Sequence, residues 1–550
     1  LTHLEAAMTT AISSPPARQG ARAAPESDSW AVASASGIRL RLPPSMRSLT
    51  TYVLLEQERW FEPEMSLLPL LLQPGDHALD IGANHGLYTL EIARCTGSGR
   101  VWAFEPTAVP RSRLLHSVAD AGLDGRVTVV DAALADSEGQ ASFAVHDNSE
   151  QNSREGTGIR RERVRLTALD TYLQAHAGGV PIAFVKLDAE GDDMRVLAGG
   201  RRFFAEQSPV VLFEYKHGRL VNHALLQAWA GLDYGLFRWS AELSLLLPFD
   251  PATAESAVAL NLVAVRPASQ AALAERGLLV LPRDWATLKD RPLLVDPSVA
   301  ATALQGWCAS PAIQGPGEAL VLQREADADP YDDALALVAL AHGGVAVAPA
   351  QRAAAMLRAR DGLTSLVNEG ASHGVETWVL LVHCLLALGE PHAAVRLGQR
   401  VLQQWPASGG RITRPMAPPL LVDLQRQRST DAGPWLQQML AEFVATHAAC
   451  SSYFEAPAPE RWAALLAHPD HSPGIERRYL LAHVLCDRVA AVQPLQLLAR
   501  GEGCNAFLWQ GLIKTMAAMA PEGPVAAAWA PGNALPPEHA AFGHLAGGRA

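Results

Sequence analysis

The sequence predicts an α/β domain built on a doubly wound sheet, followed by an all-α region of helical-repeat type. Three observations carry this. A glycine turn, Asp80-Ile81-Gly82-Ala83-Asn84-His85-Gly86, joins an apolar strand to a helical pattern, and a second apolar run, Val101-Trp102-Ala103-Phe104, ends on the acid Glu105. After Pro267, β-branched runs fade and patterns rich in Ala, Leu, Arg and Gln take over.

Gly82 and Gly86 lack a Cβ, so the chain can bend sharply after the strand Ala78–Ile81 and let a ligand lie against it. Leu87 to Ala93 reads as a helix whose first N–H groups face that ligand. Glu105 is placed beside the glycine turn, ready to accept from both ribose hydroxyls, and Pro106 stops its strand. A dinucleotide site wants G-x-G-x-x-G, whereas this turn reads D-x-G-x-N-x-G, and no nucleoside-triphosphate loop occurs. Asp80 would repel a pyrophosphate but suits a sulfonium and an ammonium, which points to S-adenosylmethionine. Such a turn alone arises by chance in many loops. Here it follows the turn Pro74-Gly75-Asp76 and precedes an acid-ended strand by about 20 residues, the spacing of a ribose-binding unit.

Further along, Val127-Thr128-Val129-Val130 is a short strand, and Asp131-Ala132 falls at the adenine edge. Phe184 to Asp188 and Pro209 to Glu214 are two buried strands ending on acids, which therefore point at the same crevice as Glu105. Asp188, Glu190 and Glu214 are the acceptor-side candidates, since methyl transfer to a hydroxyl needs a base for its proton, and His217 is a second candidate base. The ordinary alternatives are a helix cap for Glu190 and a surface loop for His217. Lys186, one of only four lysines, is either a desolvated point charge of shifted pKa or a partner of Asp188 or Glu190 in a salt bridge. Three acids also permit Mg²⁺, but the D-x-E spacing is unspecific and no metal is assigned.

These segments resemble the FkbM family of S-adenosylmethionine-dependent methyltransferases. The likeness rests on Trp60-Phe61-Glu62-Pro63-Glu64, the glycine turn, Phe104-Glu105-Pro106, Leu166-Thr167-Ala168-Leu169-Asp170, Val185-Lys186-Leu187-Asp188-Ala189-Glu190-Gly191, Leu212-Phe213-Glu214-Tyr215 and Asn261-Leu262-Val263-Ala264-Val265. It spans about residues 46–267, less than half of the chain. The resemblance implies a class I methyltransferase fold with a Rossmann-like seven-stranded sheet, S-adenosylmethionine as donor, and most often an oxygen acceptor on a sugar or polyketide. His85 and His116 depart from the family, where an apolar residue and an asparagine often stand.

Composition bounds the partners. A chain of 550 residues, 49% hydrophobic, holds several domains with real cores. A net charge of −11 without a polybasic cluster argues against a nucleic-acid face. Six scattered cysteines without C-x-x-C read as buried reduced thiols, which fits a cytoplasmic protein, and the bias of Arg over Lys suggests a bacterial source. The longest apolar stretch, 334–350, is too short and too rich in alanine to span a bilayer. The chain opens on Leu1, with Met8 as an alternative start, and residues 1–45 are expected to be disordered up to about 35 at least.

In the C-terminal half, Trp378, Leu381, Leu385, Gly389, Ala394, Val401 and Pro406 recur at helix-turn-helix spacing and resemble one tetratricopeptide repeat. A lone repeat must stack on neighbours, for which 332–357, 435–449 and 475–498 are the helical candidates. The expected organisation is a methyltransferase domain at 46–267, a linker or mixed region at 268–330 and helices at 331–550. The expected function is O-methylation of a glycan or glycosylated metabolite, with the helices binding the acceptor or a protein partner. The alternatives are a polyketide or peptide acceptor, or a scaffold whose degenerate methyltransferase half only senses the cofactor.

Overall fold

In the computed structural model, the residues described are 29–146, 149, 152, 158, 160–217, 220–288, 329–343, 347–368, 374–405, 432–448, 450–468, 471–486, 498, 503–506, 508–510 and 513. They fall into two compact units, one within Leu1–Leu232, Ser451–Ala463 and Pro473–Ala550, the other within Asp233–Cys450 and Ala464–Ser472.

The first unit opens with an antiparallel pair, β1 (Trp30–Ala33) and β2 (Arg39–Leu42), and helix Leu49–Gln57. Three parallel strands follow, β3 (His77–Ile81), β4 (Val101–Phe104) and β5 (Val127–Val130); β3 and β4 are apolar runs covered on both faces, while β5 leaves Thr128 exposed. A small sheet of order β6-β8-β7, from β6 (Ala133–Ala135), β7 (Gly139–Val145) and β8 (Arg160–Ala168), interrupts the winding. The chain then returns through β9 (Ile182–Leu187) and β10 (Val210–Glu214), which add in parallel to the other side of β3. The order β10-β9-β3-β4-β5 therefore reverses direction between β3 and β9, where open α/β sheets form their ligand crevice. A short hairpin, β11 (Lys216–His217) and β12 (Leu220–Val221), follows β10.

Late residues complete this unit. Glu56, fully buried, accepts from the Ser451 hydroxyl and from the Ser452 N–H at 3.0 Å, and it pairs with Arg478 at 3.2 Å. The Asn505 side chain accepts from the Ala33 N–H and donates to the Ala33 carbonyl, both at 2.8 Å. These contacts leave no local trace in sequence.

The second unit carries an antiparallel trio in the order β14-β13-β15, from β13 (Gly235–Ser240), β14 (Leu245–Pro248) and β15 (Asn261–Val265). Helices follow at Pro267–Glu275, Pro282–Trp285, Pro330–Ala341, Pro349–Asn368, Val375–Ala387, Pro391–Gln403 and Ala432–His447. Pro267, Pro282, Pro330 and Pro391 open theirs, where a missing N–H costs nothing and φ is preset. From Pro330 onward, successive helices pack on each other in chain order. The helix-turn-helix expected from Trp378 to Pro406 is present as Val375–Ala387, a turn at Gly389 with φ +75°, and Pro391–Gln403. Ala394 and Val401 are buried in its core, while Pro406 lies outside the described residues.

Two expectations need correction. Residues 30–42 are an ordered hairpin, because Trp30, Val32, Leu40 and Leu42 alternate at the period of two and bury one face; the reading of 1–45 as disordered followed composition and missed that alternation. The thiols are free, but Cys450 and Cys504 are exposed, so only Cys384 is a fully buried cysteine among those described; Cys308 lies outside them. Among the described residues, no helix is long and apolar enough to cross a membrane.

Candidate active site

A cavity of about 120 Å³ opens at the carboxyl ends of β3, β4 and β9. Among its lining residues are Asp80, Gly82, Asn84, Glu105, Pro106 and Ala132, all singled out for the nucleoside, together with Lys186, Asp188 and Glu190 from the acceptor-side set. Four others fall elsewhere. Gly86 does not line the cavity; it heads helix Leu87–Thr96 at φ +93°, where a Cβ would meet Leu114. Asp131 turns outward, two-thirds exposed, and pairs with Arg111 at 2.9 Å. Glu214 closes β10, and His217 is exposed on β11; neither borders the cavity. His116 is likewise exposed on helix Ala108–Asp120.

The glycine turn is held from within. Gly82 has φ +83°, and a Cβ there would lie 1.8 Å from the Asp188 carbonyl oxygen. The glycine thus lets the exits of β3 and β9 approach, a stricter need than the ligand clearance inferred from sequence. Asn84 also adopts positive φ, +47°, and its N–H donates to Glu105 at 2.9 Å. The other oxygen of Glu105 accepts from the Thr107 N–H at 2.8 Å and from its hydroxyl. A carboxylate offers roughly four lone-pair sites, so Glu105 keeps capacity toward the cavity while anchoring the turn. Burial raises its pKa, with Thr107, Asn84 and Arg111 pulling it down.

Asp80 sits in register with Lys186 on adjacent strands. One Asp80 oxygen accepts from the Thr89 hydroxyl, and the other is buried with no hydrogen-bond partner among the described residues. Burial pushes its pKa up to about 6 despite Thr89 and Lys186. Lys186 is itself buried and donates to Asp188 at 3.2 Å. Burial opposes its charge, but Asp188, Glu62 and Glu214 outweigh it and hold the ammonium above the usual lysine value. Of the two roles open for Lys186, the geometry is that of the ion pair, with the pKa displaced upward. The second Asp188 oxygen is buried without a partner among the described residues. Glu214, crowded by burial and by Asp188, is raised well above the carboxylate range. Glu190 stands at φ +47° ahead of helix Asp193–Gly199, whose N-cap position belongs to Asp192.

Several lining residues escaped the sequence reading. Tyr88 donates to Glu62 at 2.5 Å, and its ring lies 5.1 Å from the Lys186 ammonium. Glu62 belongs to the Trp60–Glu64 segment, which carried resemblance but no assigned role. Ser149 bonds Asn84 at 2.8 Å and the His85 ring at 2.9 Å, and Asn152 donates to Thr107 at 3.3 Å. His85 is buried, with its pKa pushed down to about 3 by burial and by Arg113, so it stays neutral. Long side-chain contacts of this kind have no fixed spacing to search for.

Residues 80–229 match the sequence model of the Methyltransferase FkbM domain. Among solved structures the chain is similar to methyltransferase FkbM from Methylobacillus flagellatus KT, at 20% identity over 30% of this chain and 40% of that one, with a TM-score of 0.23. It is also similar to a putative rRNA-methylase from Clostridium thermocellum, at 12% identity over 36% of this chain and 90% of that one, with a TM-score of 0.23. The chain thus spans 40% of the length of the Methylobacillus protein. No curated protein matches it.

Proposed function

We propose that the FkbM methyltransferase domain at residues 80–229 uses S-adenosylmethionine to methylate a hydroxyl of a glycan or glycosylated metabolite. The observation that carries the reading is a pair of carboxylates, the buried Asp80 and the half-buried Asp188, each with one buried oxygen lacking a protein partner among the described residues, lining one cavity at the strand exits. That donor set suits a ligand with positive charge, and the turn beside it suits a ribose.

When bound, S-adenosylmethionine supplies a methyl group on a sulfonium, and its departure leaves a neutral thioether. Glu105 and the backbone of Gly82 to Asn84 are positioned for the ribose, and Ala132 for the adenine. Asp188 supplies the proton acceptor: as the acceptor oxygen bonds carbon, its proton passes to the unpartnered Asp188 oxygen. Lys186 donates to the other oxygen and so orients the carboxylate. Asp80, ionised above about pH 6, contributes negative charge from a buried position. Within this reading the helices of the second unit, including the tetratricopeptide-like pair, bind the acceptor or a partner.

The test is a methyl-transfer assay on hydroxyl-bearing glycans with wild-type and Asp188→Asn protein, alongside calorimetric titration of the donor. Asp188→Asn is expected to bind S-adenosylmethionine normally and to lose a factor of about 10² in turnover. Unchanged turnover would remove Asp188 from the role, and tighter binding of NAD than of S-adenosylmethionine would overturn the cofactor.

A further inference from the structure

The second unit has a cavity of its own, about 420 Å³, with Arg238, Trp285, Leu357, Arg360, Leu388 and Glu390 among its walls. Its size is that of a small-molecule site. Arg238 stands on β13, and among the described residues no hydrogen bond and no ion pair within 4 Å engages its guanidinium. Arg238 is half-buried, and the five N–H donors of its planar fork are left open to a ligand in the cavity. Burial pushes its pKa down to about 10, against the pull of Glu242 and Glu390, and it remains charged at neutral pH.

The surrounding charges do not supply the missing acceptor. Glu390 is taken by Arg360 at 3.0 Å, and Arg360 is held again by Asp361 at 2.7 Å. Glu242 acts on Arg238 only through its field, and burial raises its own pKa. Room for the guanidinium is also built in. Gly389, the turn glycine of the helix pair, adopts φ +75°, and a Cβ there would lie 2.4 Å from Arg238 Nη1. Beside these polar groups, Trp285, Leu357 and Leu388 form an apolar wall.

We propose that this cavity binds a small organic ligand through an oxyanion, carboxylate or phosphate, received by the Arg238 fork, with its carbon skeleton against Trp285. The planar donor pair matches either oxyanion in a bidentate way. The assignment is independent of the methyl-transfer reading, because it uses no residue of that cleft.

Titration calorimetry on the full chain tests it, with inorganic phosphate and glucuronate as probes and glucose as the uncharged control. At least one oxyanion is expected to bind and glucose is not; which of the two binds identifies the headgroup. Arg238→Met is expected to weaken binding about tenfold or more, the scale for hydrogen bonds to a charged group. Arg238→Lys is expected to retain part of it. Gly389→Ala, which crowds the guanidinium, is expected to weaken the same probe and gives the reading if Arg238→Met does not fold by circular dichroism. Failure of both oxyanions to bind wild type overturns the proposal. So does wild-type affinity in a folded Arg238→Met or, where that variant does not fold, in Gly389→Ala.

Discussion

Asp80 combines burial with charge more directly than any other residue of the cleft. Its pKa of about 6 against an unfolded value near 3.8 means that the folded state holds its proton more tightly. The resulting stability is fully present below the unfolded value and is lost as pH rises through about 6. The total amounts to ~2–3 kcal/mol. A cationic ligand beside the carboxylate reverses the preference, because the ionised form then gains a partner. Affinity for S-adenosylmethionine is therefore expected to rise between pH 5 and 7.5, by about tenfold. Asp80→Asn should flatten that profile while weakening binding at neutral pH. A wild-type profile that is already flat would show that Asp80 does not meet the donor's charge.

At the scale of the element, the strand-turn-helix from His77 to Thr96 separates two glycines with different duties. Gly82→Ala drives a Cβ to 1.8 Å from a backbone oxygen of the neighbouring strand, so the exits of β3 and β9 must part. Gly86→Ala meets the Cδ1 of Leu114 at 2.4 Å, the end of a side chain that can turn away. The second substitution should cost about 1–2 kcal/mol, the left-handed penalty. The first should cost clearly more and abolish donor binding; equal losses in melting temperature would refute this ordering. The elements themselves were legible: β4 and β5 match the expected strands residue for residue, because short apolar runs ended by an acid or a turn have a local signature. The duty of Gly82 was not, since it depends on the carbonyl of a residue more than a hundred positions away. For the same reason Asp131 was drawn toward adenine by its position after β5, whereas Arg111 holds it outside.

For the whole molecule, the decisive fact is that Ser451–Ala463 and the described residues from Pro473 onward belong to the first unit, while Ala464–Ser472 stay with the second. Sequence reading set 331–550 apart because helical periodicity changes there, and periodicity carries no information on which core a helix joins. Glu56 shows the consequence. Arg478, Ser451 and Ser452 hold its buried carboxylate below the usual range against burial, the largest influence on it. A chain ending at residue 330 keeps Glu56 but loses all three of these partners, along with Arg477 and Asn505. Stranding a buried charge costs about 3–5 kcal/mol, a large share of the roughly 5–15 kcal/mol that stabilises a domain. The truncated chain should therefore melt well below the intact one, and Glu56→Leu in that fragment should recover part of the difference by removing the stranded charge. If the fragment instead melts within a few degrees of the intact chain, the C-terminal residues do not stabilise the first unit.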